Sequence, residues 1–289
     1  MLGIAVLLGG SLPWGALLAP ANLRFGTVVP WAIAPMAMYL WAYWKFIRGD
    51  WGPSETAASR RQNLRANALS GEAWGASILA GMLGFAALFA ILAVMARLIP
   101  LPASPALTTP EGMPRLTAFV LLTMSSIVAG VTEESGFRGY MQGPIERRYG
   151  LLPAIFVNGI AFGLLHFPNH PGDVLLMLPY YIAVSAVYGG LTWAANSILP
   201  ALVLHSGGDV WSLGRLWLTG RPEWQLSSAP APLVRDTGID AGFAVAVGAL
   251  VVFTTLTIWA YAALRRLVST TNLNPEPGTP NSEPNMNTN

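Results

Sequence analysis

The sequence has no cysteine and few charged residues. With no cysteine among 289 residues, disulfide bonds, thiolate metal sites and a cysteine nucleophile are excluded. Only 10% of the residues are Asp, Glu, Lys or Arg and 53% are hydrophobic, whereas soluble domains carry about 25% charged residues. Lys45 is the one lysine, and residues 151–214 contain no Lys, Arg or Glu. A soluble chain of this length would need more polar side chains on its surface, so the composition indicates a protein that folds in lipid.

The small net charge of +2 does not indicate a nucleic-acid partner, and we expect none. The basic residues stand instead in the segments that follow particular apolar runs. Clusters follow the second, fourth and eighth runs, and they comprise Lys45, Arg48, Arg60, Arg61, Arg65, Arg147, Arg148, Arg265 and Arg266. Because basic residues accumulate on the cytoplasmic side of membrane proteins, this bias predicts that both termini are cytoplasmic.

Eight apolar runs follow one another along the chain, each of roughly the length that crosses a bilayer as a helix. They lie near residues 2–20, 28–47, 74–98, 116–142, 151–167, 174–195, 198–218 and 241–264. None alternates polar and apolar residues as a strand of a membrane β-barrel would. The sequence therefore predicts an all-α fold, a polytopic transmembrane helical bundle of about eight spans.

The bundle is expected to occupy residues 1–268, with a motif-bearing core at about residues 116–218. Residues 269–289 are rich in Asn, Pro, Thr and Ser and are predicted to form a disordered tail. Residues 48–72 are predicted to be a solvated connector. The first run lacks the basic start of a signal peptide, so we expect it to be retained, although Ala19-Pro20-Ala21 loosely resembles a cleavage site.

The fourth run and the residues after it are longer than a bilayer requires. A straight helix over residues 116–149 would measure on the order of 50 Å. We therefore expect this helix to tilt, to bend near Gly136 or Gly139, or to end along the membrane surface.

Ionisable residues inside apolar helices are costly, so those present here are candidates for function. Glu133 and Glu134 follow a long apolar stretch, and Arg138 lies four residues after Glu134. Residues at i and i+4 share a helix face, so Glu134 is expected to pair with Arg138 and to leave Glu133 free. A carboxylate without a full partner can act as a general base near neutral pH. The alternative is a helix end with one structural ion pair.

One histidine ends the fifth run. Asn158, Phe162 and His166 fall on one helical stripe at i, i+4 and i+8. The turn between the fourth and fifth runs centres on Gly150, which Glu133 precedes by 17 residues and His166 follows by 16. In an antiparallel hairpin both residues then lie at one depth, on the order of 25 Å from the turn. The alternative is a histidine that merely marks the membrane interface.

A second histidine lies in the seventh run. His205 shares a helix face with Asp209, which could orient the imidazole or accept its proton. Gly207 and Gly208 would permit the close approach of another helix or of a substrate backbone. His205 lies near the start of its run, so spacing alone does not show that it reaches the depth of His166. The alternative is a polar contact between helices.

The three motifs resemble those of the CAAX protease and bacteriocin-processing family, also called the CPBP or Abi family of intramembrane proteases. That family has EExxxR, FxxxH and HxxxN/D in this order. The corresponding residues are Glu133-Glu134-xxx-Arg138, Phe162-xxx-His166 and His205-xxx-Asp209. The resemblance covers about residues 132–210, and the third motif ends in Asp where many members have Asn.

The resemblance implies an intramembrane endopeptidase. Glu133 would activate a water molecule, His166 would help to hold or deprotonate that water, and His205 with Asp209 would stabilise the oxyanion. The pair of Glu134 and Arg138 would fix the helix and tune Glu133. The implied partners are the lipid bilayer and a membrane-bound or lipidated peptide or protein. The implied location is integral to the cell membrane, which in a bacterium is the inner membrane.

No cofactor is expected to be required. Glu133, His166 and His205 form a set of two histidines and one carboxylate that suits zinc with one open position, so a zinc site is the alternative. The sequence contains no HExxH motif, which would arrange two ligands on one helix in advance. We therefore favour a metal-free mechanism in which glutamate activates the water.

Two other functions are open at this point. A non-catalytic membrane scaffold or bacteriocin-immunity-type factor is one, although the intact Glu133, His166 and His205 count against it. A transporter that uses the same residues as a proton relay is the other. Such transporters often contain inverted repeats, and the sequence shows no repeat. The third histidine, His170, stands among Pro and Gly residues and is predicted to lie in a loop.

Overall fold

The computed structural model describes residues 2–102, 109–166, 174–222, 224–227 and 230–273. Within these residues the chain forms ten helices and no strand, which confirms the predicted all-α fold. The helices are α1 (Leu2–Phe25), α2 (Ile33–Ile47), α3 (Ala57–Leu64), α4 (Gly71–Leu98), α5 (Arg115–Tyr149), α6 (Leu151–Leu165), α7 (Val174–Ala195), α8 (Leu199–Thr219), α9 (Val234–Thr237) and α10 (Ala241–Leu273).

Each of the eight predicted apolar runs contains a helix, and the second run becomes helical at Ile33. In the described part of the chain, five helices are long and apolar enough to cross a membrane, namely α1, α4, α5, α7 and α10. Helix α6 is apolar but shorter. The outer face of α10 exposes large apolar side chains such as Val251 and Trp259, as a helix surrounded by lipid does. The chain is an integral membrane protein, and the number of eight spans stays a prediction.

Local chemistry sets several helix boundaries. The Ser70 side chain accepts a hydrogen bond from the Ala73 backbone N–H and so caps α4. Gly150 has φ +89° and separates α5 from α6, and Gly220 has φ +67° after the end of α8. Asp240 caps α10 by accepting a hydrogen bond from the Phe243 N–H at 2.8 Å.

Asp240 also ties the start of α10 to the end of α4. Its carboxylate accepts a hydrogen bond from Arg97 at 2.7 Å, and the Arg97 guanidinium also donates to the Pro232 carbonyl at 2.6 Å. The hydrogen bond from Arg97, followed by that from the Phe243 backbone, lowers the pKa of Asp240 to about 2. The contact therefore holds the segment before α10 against α4 at any pH near neutrality.

Helix α1 packs against α5 through glycines. A Cβ atom at Gly3 would lie 2.5 Å from the Gly136 carbonyl oxygen, and one at Gly136 would lie 2.7 Å from the Gly3 carbonyl oxygen. A Cβ atom at Gly10 would collide with the Thr132 side chain. Because these residues lack side chains, the two backbones come into direct contact beside the Glu133-Glu134 pair.

Helix α5 widens into a π-helix from Glu134 to Met141. The distortion includes Gly136 and Gly139, the two positions where a bend is expected from the sequence. Residues 137–140 are buried, so this part of α5 does not lie along the membrane surface. π-Helical turns are common at functional sites because they redirect side chains within a helix. Here the widening begins directly after Glu133.

The prediction of a solvated connector at residues 48–72 is wrong in part. It contains helix α3, in which Leu64 and Arg60 are buried. The Nη1 group of Arg60 donates to the carbonyl oxygens of Phe46 and Trp51 at 2.6 Å each, which gives this nitrogen partners away from water. A basic side chain that binds backbone carbonyl groups can be buried, and charge alone does not reveal this.

Two residues of the same connector contact the end of α5 and the turn between α7 and α8. The Arg65 guanidinium forms an ion pair with Glu146 of α5 at 3.1 Å. The Asn67 side chain donates to the Asn196 carbonyl at 2.6 Å, in the turn between α7 and α8. These contacts fix α5 relative to α8, and the candidate site lies between those two helices.

The last helix extends beyond residue 269, the predicted start of the tail, to Leu273. The remaining residues of the predicted disordered tail, 274–289, lie outside the described residues.

Candidate active site

Helices α5 and α8 cross closely beside the paired glutamates. A Cβ atom at Gly130 would lie 2.9 Å from the Ser206 backbone nitrogen and 3.1 Å from its Cα atom. Only a residue without a side chain permits this backbone contact. Gly130 lies about one turn before Glu133, and His205 is the neighbour of Ser206. The crossing therefore brings His205 to the glutamates, which the sequence spacing did not establish.

The predicted role of Gly207 and Gly208 in a close helix contact is wrong. Among the described residues, no atom lies within 4 Å of a Cβ position at Gly207, and Gly208 would make only ordinary van der Waals contacts. Both glycines line a cavity. They leave space beside His205, whereas Gly130 provides the close approach of α5 and α8.

His205 stands at the centre of three carboxylates. Its Nδ1 lies 2.7 Å from Oε1 of Glu134, and its Nε2 lies 3.7 Å from Oε2 of Glu133. The same Nε2 lies 3.7 Å from Oδ2 of Asp209, one helical turn away. Because an ionised carboxylate can only accept, His205 donates its Nδ1–H to Glu134. Its Nε2 then faces Glu133 and Asp209.

The predicted pair of Glu134 and Arg138 is present, at 3.3 Å between Oε1 and Nη1. Both side chains are fully buried, whereas the Glu133 side chain is 22% exposed. Arg138 is enclosed by aromatic rings, with its guanidinium carbon 5.3 Å from the centre of Phe162 and 5.2 Å from that of Tyr188. Glu134 therefore acts as a link between Arg138 and His205, and Glu133 is the glutamate that solvent or substrate can reach.

His166 follows the last residue of α6. Its Nδ1 lies 2.8 Å from the Phe162 carbonyl oxygen, so Nδ1 carries the proton and Nε2 is the available nitrogen. The imidazole stacks on Tyr181 with ring centres 4.9 Å apart. Among the described residues, His166 forms no ion pair with Glu133. The two side chains are related by lining the same cavity. Asn158 is buried below it and donates to the Ala154 carbonyl, while His170 lies outside the described residues.

A cavity of about 1310 Å³ joins these side chains. Glu133, His166, His205 and Asp209 all line it. The rest of its wall is mainly apolar and includes Ile78, Met82, Phe85, Phe89, Trp211 and Trp224. Glu134 and Arg138 are not part of the wall and lie behind it. The polar groups thus form one side of a large apolar chamber, which is the arrangement typical of ligand-binding cavities.

Residues 115–211 match the profile of a family described as Type II CAAX prenyl endopeptidase Rce1-like. This segment of the chain, called the Rce1-like segment below, is similar to that family. The match confirms the family resemblance read from the three motifs, and it covers about a third of the chain. No curated protein and no solved structure shows significant similarity to the chain.

The Rce1-like segment contains all the predicted site residues but not the whole cavity wall. It begins with α5 and ends within α8 at Trp211. Ile78, Met82 and Phe85 of α4 and Trp224 lie outside it. The polar residues of the cavity wall therefore lie in the matched segment, and part of the apolar wall lies outside it.

The described residues of the Rce1-like segment do not form a metal-binding cluster. In the described part of the chain, no group of three or more His, Asp or Glu side chains is placed to hold one metal ion. His205 directs its two nitrogens to carboxylates, and His166 directs its Nδ1 to a backbone carbonyl. The Nδ1 contacts leave Nε2 of both histidines for the cavity, an orientation that metal-bound histidines share, so the zinc alternative on Glu133, His166 and His205 stays a prediction beside the metal-free one.

Two further residues of the Rce1-like segment contact the histidines and were missed in the sequence. Tyr188 stacks on His205 with ring centres 4.8 Å apart and an angle of 11° between the planes. Tyr181 stacks on His166, and both tyrosines belong to α7 and line the cavity. They are seven residues apart and share a helix face. That spacing was the available signal, but aromatic residues at such spacing are common in any apolar helix.

Proposed function

We propose that the chain is an intramembrane endopeptidase of CAAX-protease type that cleaves a membrane-associated or lipidated substrate. The observation that carries the proposal is the position of the Glu133 carboxylate, 3.7 Å from Nε2 of His205 at the wall of a large apolar cavity. The Rce1-like match over residues 115–211 supports the protease class.

In the proposed reaction, Glu133 takes a proton from a water molecule in the cavity, and the resulting hydroxide attacks the carbonyl carbon of the scissile bond. The available Nε2 of His166 holds this water or shares its proton. When the tetrahedral intermediate collapses, the C–N bond breaks and Glu133 returns the proton to the departing amine. The step consumes one water molecule and requires no metal ion or organic cofactor.

His205 stabilises the oxyanion of the tetrahedral intermediate in this proposal. A protonated His205 presents Nε2–H to the cavity while Nδ1–H is held by Glu134 at 2.7 Å. Donors that are already oriented toward the developing charge usually supply the largest part of the rate enhancement. Asp209, 3.7 Å from Nε2, supports the charged imidazole and is not itself a neutral donor.

The shape and chemistry of the cavity support a hydrophobic substrate. Its volume of about 1310 Å³ exceeds the roughly 300–1,000 Å³ of ordinary small-molecule pockets. Its apolar lining includes Met82, Phe89 and Trp211. A peptide segment together with an apolar side chain or lipid fits such a chamber, so the partners are membrane-bound peptides or proteins in the bilayer.

We place the protein in the cell membrane with both termini in the cytoplasm. The clusters of basic residues in the segment that follows α2, in the last turn of α5 and near the end of α10 support this orientation. Cysteine accessibility tests it directly, because the native chain has no cysteine. A cysteine introduced at exposed Arg148 should react with a membrane-impermeant reagent only after the cells are opened. Labelling in intact cells would contradict the orientation.

The function is tested with the full-length protein in liposomes and a panel of membrane-anchored peptides, each with and without a lipid attached. Hydrolysis should yield two products whose masses together equal the peptide plus one water, with the lipidated peptides cleaved faster. Folded protein that cleaves no peptide would contradict the proposal and favour a scaffold. Proton-dependent movement of intact peptide across the bilayer would favour a transporter.

A further inference from the structure

A second pocket, of about 450 Å³, lies between the ends of α7 and α10. Its lining combines two basic, two hydroxyl-bearing and two apolar residues, which are Arg265, Arg266, Ser269, Thr270, Trp193 and Ala262. None of these residues lines the cavity that contains Glu133. The pocket is therefore a separate feature, and its chemistry does not depend on the proposed protease reaction.

Arg265 is held in place within this pocket. Its Nη1 donates to the Trp193 carbonyl oxygen at 3.0 Å, and its guanidinium carbon lies 4.0 Å from the centre of the Trp193 ring. A stacked and hydrogen-bonded guanidinium loses little further freedom when a ligand binds to its remaining donors. Arg265 therefore presents a fixed positive charge at the pocket wall.

The pocket carries positive charge without a matching carboxylate. Of the described residues, the lining includes two arginines and no Asp or Glu. The hydroxyl groups of Ser269 and Thr270 donate to backbone carbonyl oxygens of α10, so the guanidinium groups are the principal donors to a ligand. Arg266 is exposed, and guanidinium groups bind phosphate oxygens through paired hydrogen bonds. A ligand that bears a phosphate group matches this wall.

The position of the pocket on α10 identifies the source of the phosphate. Trp259, Ala262 and Arg266 fall on one helix face, since they are spaced by three and four residues. Trp259 is 69% exposed and belongs to the apolar outer face of a membrane-spanning helix. Basic residues and tryptophan at the end of such a helix lie at the depth of the lipid headgroups. A phosphate bound at Arg266 would then have acyl chains beside Trp259.

We propose that this pocket binds the phosphate of an anionic phospholipid. Arg265 and Arg266 bind the phosphate of the headgroup, and Trp193 packs beside it. The acyl chains lie along the outer face of α10, next to Ala262 and Trp259. Basic pockets between the ends of membrane helices are a recurrent means of headgroup recognition. Bound lipid would join α10 to α7.

The test uses the full-length protein in a zwitterionic detergent and measures its melting temperature. The additives are short-chain phosphatidylglycerol, short-chain phosphatidylcholine and inorganic phosphate, each titrated separately. Phosphatidylglycerol should raise the melting temperature in a saturable way, and phosphatidylcholine should not. Arg266→Gln should weaken the apparent affinity for phosphatidylglycerol about fivefold, as expected for one arginine near a charged headgroup.

Arg148→Gln is the matched control. Like Arg266, Arg148 is exposed and lies near the end of a helix that could span the membrane, but it lies outside the pocket. It should leave the phosphatidylglycerol titration unchanged. Equal effects of Arg266→Gln and Arg148→Gln would show attraction by general surface charge and would overturn the proposal. A saturable shift with inorganic phosphate that lipid does not exceed would assign the pocket to a soluble phosphate and would likewise overturn it.

Discussion

The imidazole of His205 donates its Nδ1–H to the fully buried carboxylate of Glu134, with 2.7 Å between the two heavy atoms. This contact joins α8 to α5 and ties the third sequence motif to the first. Glu134 also forms the ion pair with Arg138, so one carboxylate contacts both an arginine of its own helix and His205 of α8. In the proposed reaction, Glu134 is therefore a positioning residue, and Glu133 is left for the chemistry.

Glu134→Gln should lower kcat far more than it changes KM, because His205 loses the charged partner that fixes its ring. It should also destabilise the protein, since removing one partner of a buried ion pair costs about 3–5 kcal/mol. The double variant Glu134→Gln with Arg138→Met removes both charges and should recover much of the stability. Thermal unfolding and cleavage kinetics separate the two effects. Recovery of full activity in the double variant would contradict the positioning role.

Tyr188→Leu should reduce kcat about tenfold, because it removes the ring that stacks on His205 at 4.8 Å, and an aromatic contact of this kind contributes about 0.5–1.5 kcal/mol. Tyr188→Phe is the matched control, because it retains the ring. It should stay within about threefold of the native rate if stacking is the main contribution. Equal losses in the two variants would show that the hydroxyl group matters and not the ring.

Gly130→Ala should lower both the melting temperature and the activity. The added methyl group would collide with the Ser206 backbone, where α5 crosses α8, and overpacking of this kind costs about 1–3 kcal/mol. Gly248→Ala in α10 is the control, because no described atom lies within 4 Å of the added Cβ atom. The account of the helix crossing is wrong if both alanine variants melt at the native temperature.

Chelation should leave the cleavage rate unchanged. The described His, Asp and Glu side chains form no cluster suited to a metal ion, and we propose that Glu133 activates water without one. The measurement is the initial rate after dialysis against EDTA and after addition of 1,10-phenanthroline, with thermal unfolding as a check on the fold. A loss of activity that zinc restores would instead support the zinc alternative on Glu133, His166 and His205.

Much of the fold could be predicted from apolar run lengths, because a bilayer dictates the length of a spanning helix. The ion pair of Glu134 with Arg138 was also predictable, since it depends only on helical periodicity within α5. The structure of the connector at residues 48–72 could not be predicted in this way. Burial of Arg60 depends on the carbonyl groups of Phe46 and Trp51, which precede it by 14 and 9 residues, and helical periodicity does not encode that contact.

The meeting of α5 with α8 was the main element beyond the reach of the sequence. Local periodicity places His205 and Asp209 on one face but does not say which helix that face contacts. The answer depends on the register of two helices, which Gly130 and Ser206 set by their close approach. The stacking of Tyr188 on His205 depends on the same tertiary register. The motif resemblance could name the residues of the site, whereas only the packed structure shows which of them contact each other.

The central claim is that the Glu133 carboxylate acts as the general base, and Glu133→Gln tests it most directly. The substitution preserves shape and removes the charge, so the full-length variant should fold with a near-native melting temperature and lose about 10²–10⁴-fold in kcat. Glu72→Gln, which alters an exposed carboxylate outside the cavity, should retain the native rate. Undiminished peptide cleavage by folded Glu133→Gln would contradict the mechanism.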